Sequence, residues 1–189
     1  YKGQGFEFQN DNAQKELSLF LIDRLKFYMK EKDIRHDIIE ASINSFSIDH
    51  ISKMYNKALA LNKVIIKDVG NDIIVSYKRA SNILESELKN KELDLSNTTD
   101  PGIFKNDYEK NLYKKIQELR KYFASINKDE DYEVTLGNLA NAKATITEFF
   151  DNVIVNDDDQ SIKKNRLELL QMLCKTFDNY INFSNIESV

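Results

Sequence analysis

The stretch DIIVSYKRASNILESELK, Asp72 to Lys89, spaces its apolar residues Ile73, Tyr77, Ala80, Leu84 and Leu88 at intervals of three and four. An α-helix turns once in 3.6 residues, so that spacing gathers them on one stripe and commits the stripe to a core. The other side carries Arg79, Asn82 and Ser86, one and two turns apart, with Lys78 adjacent. Such a row of donors suits phosphate oxygens and base edges, because Arg and Asn make paired hydrogen bonds and Lys supplies charge. The same row is also an ordinary wet face with Glu85 and Lys89 as an i,i+4 pair, and spacing alone favours that plainer reading.

The helical period continues in both directions. Toward the N-terminus it predicts a helix from Ala13 to Lys32 with a stripe of Leu17, Leu21, Leu25 and Tyr28, widened by Phe20 and Phe27. A second helix holds Ile38, Ile39, Ile43 and Phe46, and a third follows an Asp49 N-cap with Ile51, Met54, Tyr55, Ala58 and Ile65. Gly70 is expected to end that third helix in a left-handed conformation, so that the next one opens at Asp72. Residues 90 to 106 form the longest irregular segment. Three further helices are expected over Asp107 to Asn127, Tyr132 to Val155 and Asp158 to Phe183.

Composition agrees with an all-α chain. Five Gly and one Pro among 189 residues are too few to punctuate many strands, while 41% hydrophobic residues suffice for a core. No apolar run is long enough to span a bilayer. A first residue of Tyr1 suggests a fragment, and the single Cys174 is expected to be a small core residue. The formal net charge of −4 does not exclude an RNA partner, since basic residues can gather on one face while carboxylates cap helices elsewhere.

The run FFDNVIVNDDDQSIKKNRLELL, Phe149 to Leu170, raises the question of a metal loop. A calcium loop started at Asp157 would put Ile162 where glycine is required and Lys163 at the next position, so the pattern fails sterically and electrostatically. The run reads better as a helix start, with Asn156 three residues before Asp159 as in a capping box. Asp157 to Asp159 would then stabilise the first turn by ~0.3 to 1 kcal/mol each. Arg166 falls beside Leu170, Leu173 and Phe177 on the apolar side of that helix. It is either paired with a carboxylate such as Asp151 or placed at the edge of a ligand pocket. There is no Gly-rich phosphate loop and no Cys/His pair at ligand spacing, and His36 and His50 fall on different elements at capping or surface positions. No catalytic residue and no metal site is assigned.

Three stretches taken together, DRLKFYMKEKDIRHDIIEA (Asp23 to Ala41), YKRASNIL (Tyr77 to Leu84) and Phe149 to Leu170, resemble the C-terminal region of the β subunit of bacterial glycyl-tRNA synthetases. The resemblance runs from about Lys15 to Glu187. Tyr77 to Leu84 and the helices after it also resemble the DALR anticodon-binding domain of arginyl-tRNA synthetases, a helical bundle. The resemblance implies residues 1–68 as a helical body or linker segment and residues 69–189 as a DALR-like anticodon-binding domain. It implies the tRNA-capturing part of a glycine-tRNA ligase, whose ATP- and magnesium-dependent chemistry belongs to the α subunit. The segment itself would be non-catalytic and without cofactor. Implied partners are glycine tRNA and the α subunit in the cytoplasm, with no membrane and no DNA.

Matched to the family's stretches, the candidate tRNA-binding residues are Lys78, Arg79, Asn82, Ser86, Lys163, Asn165 and Arg166. Tyr108 and Tyr113, beside Lys110, Lys114 and Lys115, are candidates for stacking on unpaired bases. Two alternatives stand beside this reading: the anticodon domain of an arginyl-tRNA synthetase-like enzyme, and a non-enzymatic scaffold that binds a protein through the first helices.

Overall fold

A computed structural model describes residues 13–43, 51–65, 68–89, 95, 98–125 and 132–187. Eight α-helices run through them: α1 (Ala13–Glu31), α2 (His36–Ile43), α3 (Ile51–Ile65), α4 (Asp68–Lys89), α5 (Asp107–Ser125), α6 (Tyr132–Ala140), α7 (Lys143–Asn152) and α8 (Gln160–Asp178). Short 3-10 turns occupy Pro101–Ile103 and Phe183–Asn185. No strand occurs among the described residues, so the all-α fold is the one found.

α4 is central. Its apolar stripe of Ile73, Tyr77, Ala80 and Leu84 is buried, joined by Ile74 at the edge, and α4 packs on α3, α6, α7 and α8. α5 closes the other side by packing on α7 and α8. One apolar core therefore joins Met54 and Ile65 of α3, Ile116 of α5, Leu139 of α6, Phe149 of α7 and Leu170 of α8. Ile65 of α3 and Ile73 of α4 both belong to it. Lys57 of α3 is buried as well, with its ammonium donating to the Tyr180 carbonyl and lying 4.9 Å from the Tyr180 ring. Burial pushes the pKa of that lysine down to about 7, and these two contacts oppose the shift by favouring the charged form.

Several expected elements are redrawn. Gly70 does not end α3; it lies in the first turn of α4, which begins four residues earlier than Asp72. A Cβ at Gly70 would stand 2.3 Å from the Val64 carbonyl oxygen and 2.5 Å from Ile65 Cα, so close backbone approach and not a left-handed turn reserves the position for glycine. The helix expected over Tyr132 to Val155 is two, broken at Asn141 and Ala142, where the Ala142 amide donates to Leu139 at 3.0 Å. The break lets α6 lie on α3 and α4 while α7 lies on α4 and α5. The last helix stops at Asp178, and the chain then folds back to bury Ile181, Phe183 and Ile186. Leu88, assigned to the stripe of α4, is exposed at the helix end. The Asp49 cap, Phe46, His50 and most of 90–97 lie outside the described residues.

α1 departs furthest from expectation. It buries Leu25 and Met29 and half-buries Ile22, whereas Leu17, Phe20, Leu21, Phe27 and Tyr28 face solvent, Phe20 at 63% exposure. At 100° per residue Phe20 and Phe27 lie opposite the buried Ile22, Leu25 and Met29, with Leu17, Leu21 and Tyr28 between. α1 packs on α2 and α3 through its buried residues, and Tyr28 reaches the Tyr55 ring of α3 at 5.4 Å, while Phe20 and Phe27 stay exposed.

Candidate nucleic-acid interface

The outer face of α4 is open. Asn82 and Ser86 are exposed and Lys78 is half-buried. Arg79 is fixed yet accessible: its guanidinium lies 4.4 Å from the centre of the Phe150 ring, Nη2 donates to the Phe150 carbonyl at 3.4 Å, and the side chain keeps 53% of its surface. Asp151 stands 3.9 Å away, an exposed pairing of small energetic weight. An aromatic ring behind a guanidinium orients its planar fork outward, which suits a carbonyl or phosphate acceptor.

Beside this face runs the connection from α7 to α8. Val153 and Val155 are buried, at 6% and 7% exposure, and Ile154 between them is 76% exposed. Asn156 donates to Glu87 of α4 at 2.9 Å, and Lys163 of α8 pairs with the same carboxylate at 2.7 Å. The bond from Lys163 holds the Glu87 carboxyl below its usual range against the opposing effect of burial. Lys163, expected to meet RNA, is thus engaged in tying α8 to α4.

Asn165 and Arg166, also expected to meet RNA, are both buried and hydrogen-bonded within the protein. Asn165 forms a two-bond pair with the backbone of Asp100, accepting from its amide at 2.7 Å and donating to its carbonyl at 3.0 Å. Arg166 Nε donates to Glu109 at 2.5 Å, while Nη1 reaches the Ile154 carbonyl at 2.8 Å and Asp157 at 2.7 Å. Of the two sequence options for Arg166 the paired one holds, with Glu109 and Asp157 as the carboxylates; Asp151 belongs to Arg79. Glu109 also accepts from the amides of Lys105 and Asn106, and the Asn106 side chain accepts from the Glu109 amide. This reciprocal capping box starts α5, and Asn-x-x-Glu was readable at 106 to 109.

The acidic run is a helix start, but its cap is Asp159, which accepts from the amides of Ser161 and Ile162. Asp157 accepts from the Asp159 amide and from Arg166, in that order the causes that hold its carboxyl below the usual range. Tyr108 is exposed on α5, whereas Tyr113 packs against Phe104 at 5.7 Å. Cys174 is in the core, where burial pushes its thiol up to about 12. Of the seven candidate RNA contacts, four therefore share the outer face of α4; of the three on α8, Lys163 ties that helix to α4, Asn165 to Asp100, and Arg166 to α5 and the α7–α8 connection.

Residues 73–189, which include this whole arrangement, match the family described as the DALR anticodon binding domain. The chain belongs to that family. The DALR match begins at the first buried residue of the α4 stripe and leaves α1 to α3 outside it. Over a longer stretch the chain is similar to the glycine-tRNA ligase β subunit of Rickettsia prowazekii (strain Madrid E), at 34% identity covering 88% of this chain and 24% of that protein. The β subunit of Rickettsia africae (strain ESF-5) is 32% identical over 96% of this chain and 26% of its own length. That of Rickettsia bellii (strain OSU 85-389) is 33% identical over 95% and 25%. The chain spans about a quarter of the length of these relatives. Among the described residues no helix is long and apolar enough to cross a membrane.

Proposed function

We propose that this chain grips the anticodon arm of glycine tRNA as part of a glycine-tRNA ligase β subunit. Glycine activation, with ATP and magnesium, belongs on this reading to an α subunit, and the assembly works in the cytoplasm. The observation that carries the proposal is the exposed donor row Arg79, Asn82 and Ser86, with Lys78 at its margin, lying inside the matched anticodon-binding domain. An anticodon module needs cations for phosphates and planar or polar groups for unstacked bases, and this face offers both. The exposed apolar side of α1 lies outside the match, and we assign it to packing against the body of a longer β subunit.

The test substitutes the face. Lys78→Ala should weaken cognate and non-cognate tRNA alike and lower the salt dependence by about one phosphate's worth. Arg79→Ala should narrow the gap between cognate and non-cognate by ~1 to 3 kcal/mol. Lys78→Ala should keep the parent's melting temperature, and Arg79→Ala should stay folded while losing ~0.5 to 1 kcal/mol with its Phe150 contact. Folded variants that bind like the parent would assign anticodon reading to another surface.

A further inference from the structure

The connection between α7 and α8 is built to hold one apolar side chain out in solvent. Val153 adopts extended backbone, with φ −123° and ψ 120°. In extended chain successive side chains point to opposite sides, so burying both Val153 and Val155 sends Ile154 outward. The backbone between them is not free to relax. The Val153 amide donates to Phe149 at 2.8 Å, closing α7, and the Ile154 carbonyl accepts 2.8 Å from Arg166 Nη1. Arg166 is itself buried and clamped by Glu109 at 2.5 Å and Asp157 at 2.7 Å. A buried guanidinium and carboxylate cost free energy to desolvate, so this network is an expensive way to hold a loop whose outward product is a single exposed isoleucine.

Isolated exposed apolar residues are common and need no explanation. Ile154 differs in being rigidly presented next to the donor face: Phe150, four residues earlier, carries the Arg79 guanidinium, and Asn156, two residues later, bonds to Glu87 of α4. The surroundings also select what lands on it. Asp158 and Asp151, the latter 3.9 Å from Arg79, are exposed on either side, and their carboxylates disfavour a phosphate seated directly on Ile154. An unpaired base has an uncharged π-face, gains from apolar contact, and is not repelled.

We propose that Ile154 is a base-contacting residue, packing against one unstacked nucleotide of the RNA loop, and that Arg166 and Asp157 act behind it as positioning residues. This rests on the tRNA-binding reading above and deepens it by assigning one contact.

The experiment is a binding titration of the chain with glycine tRNA, together with a set of the same tRNA in which single anticodon-loop nucleotides are made abasic. Ile154→Ala should leave the melting temperature unchanged, weaken cognate tRNA by about tenfold, as for one covered apolar side chain, and leave the salt dependence as it was. One abasic position should weaken the parent to a similar extent and have no further effect on Ile154→Ala. Ile154→Phe should bind at least as well as the parent. Asp157→Asn keeps the Arg166 to Glu109 bond; it should weaken binding in the parent but add nothing in Ile154→Ala, whereas a merely structural role would cost the same in both. A parent that binds glycine tRNA selectively, with a folded Ile154→Ala of equal affinity, would overturn this inference and leave the tRNA-binding reading standing. A parent with no affinity for tRNA would overturn both.

Discussion

Asp159 shows what a residue's identity reveals and what only its backbone angles decide. Its φ of −76° and ψ of 113° turn the carboxylate onto the amides of Ser161 and Ile162, while Asn156 is spent on Glu87 across the gap to α4. Asp159→Ala is expected to lose ~1 kcal/mol in urea unfolding, and Asn156→Ala distinctly less because its bond is exposed. The acidic run is legible in the sequence as a helix start; which member caps it is not, since four neighbouring residues all have capping side chains. The burial of Arg166 is legible too, from its place among Leu170, Leu173 and Phe177. Its partner is hidden because Glu109 lies 57 positions away, and only the packing of α5 on α8 brings them together.

Among the elements, α4 was readable almost whole, since one side is apolar and the other polar, leaving a single way to face a core. α1 is readable as a helix, but of its expected stripe only Leu25 is buried. With Leu17, Phe20 and Phe27 on one side and Ile22, Leu25 and Met29 on another, periodicity gives two admissible stripes, and contact with α2 and α3 chooses between them. The consequence is a clear asymmetry in stability. Met29→Ala should cost ~2 to 5 kcal/mol as a cavity in a packed core, whereas Phe20→Glu should change stability by less than ~0.5 kcal/mol in this chain. Thermal or urea unfolding of the two variants checks this, and a severe loss from Phe20→Glu would mean that the outer side is covered already. The division of α6 from α7 was illegible for a related reason. Each half has a helical pattern, and the break at Asn141 is set by the need to reach two different neighbours.

For the molecule as a whole, a formal charge of −4 decides little, because the groups that would meet RNA are few and gathered in one place. Arg79 rests on Phe150, Ile154 stands out from the adjoining connection, and the buried pairs of Arg166 keep that connection in register with α8 and the start of α5, while Asn165 ties α8 to Asp100. With few cations on the face, affinity should depend on salt only as steeply as a small number of neutralised phosphates requires. Selectivity should then come from base contacts and survive moderate salt. The measurement closest to the central claim is binding of the parent chain to glycine tRNA and to the same tRNA with its anticodon exchanged, at two salt concentrations. A preference of about tenfold or more for the glycine anticodon, retained at the higher salt while both affinities fall, is the predicted result. Equal affinity for the two tRNAs, or binding that salt abolishes without any preference, would contradict it.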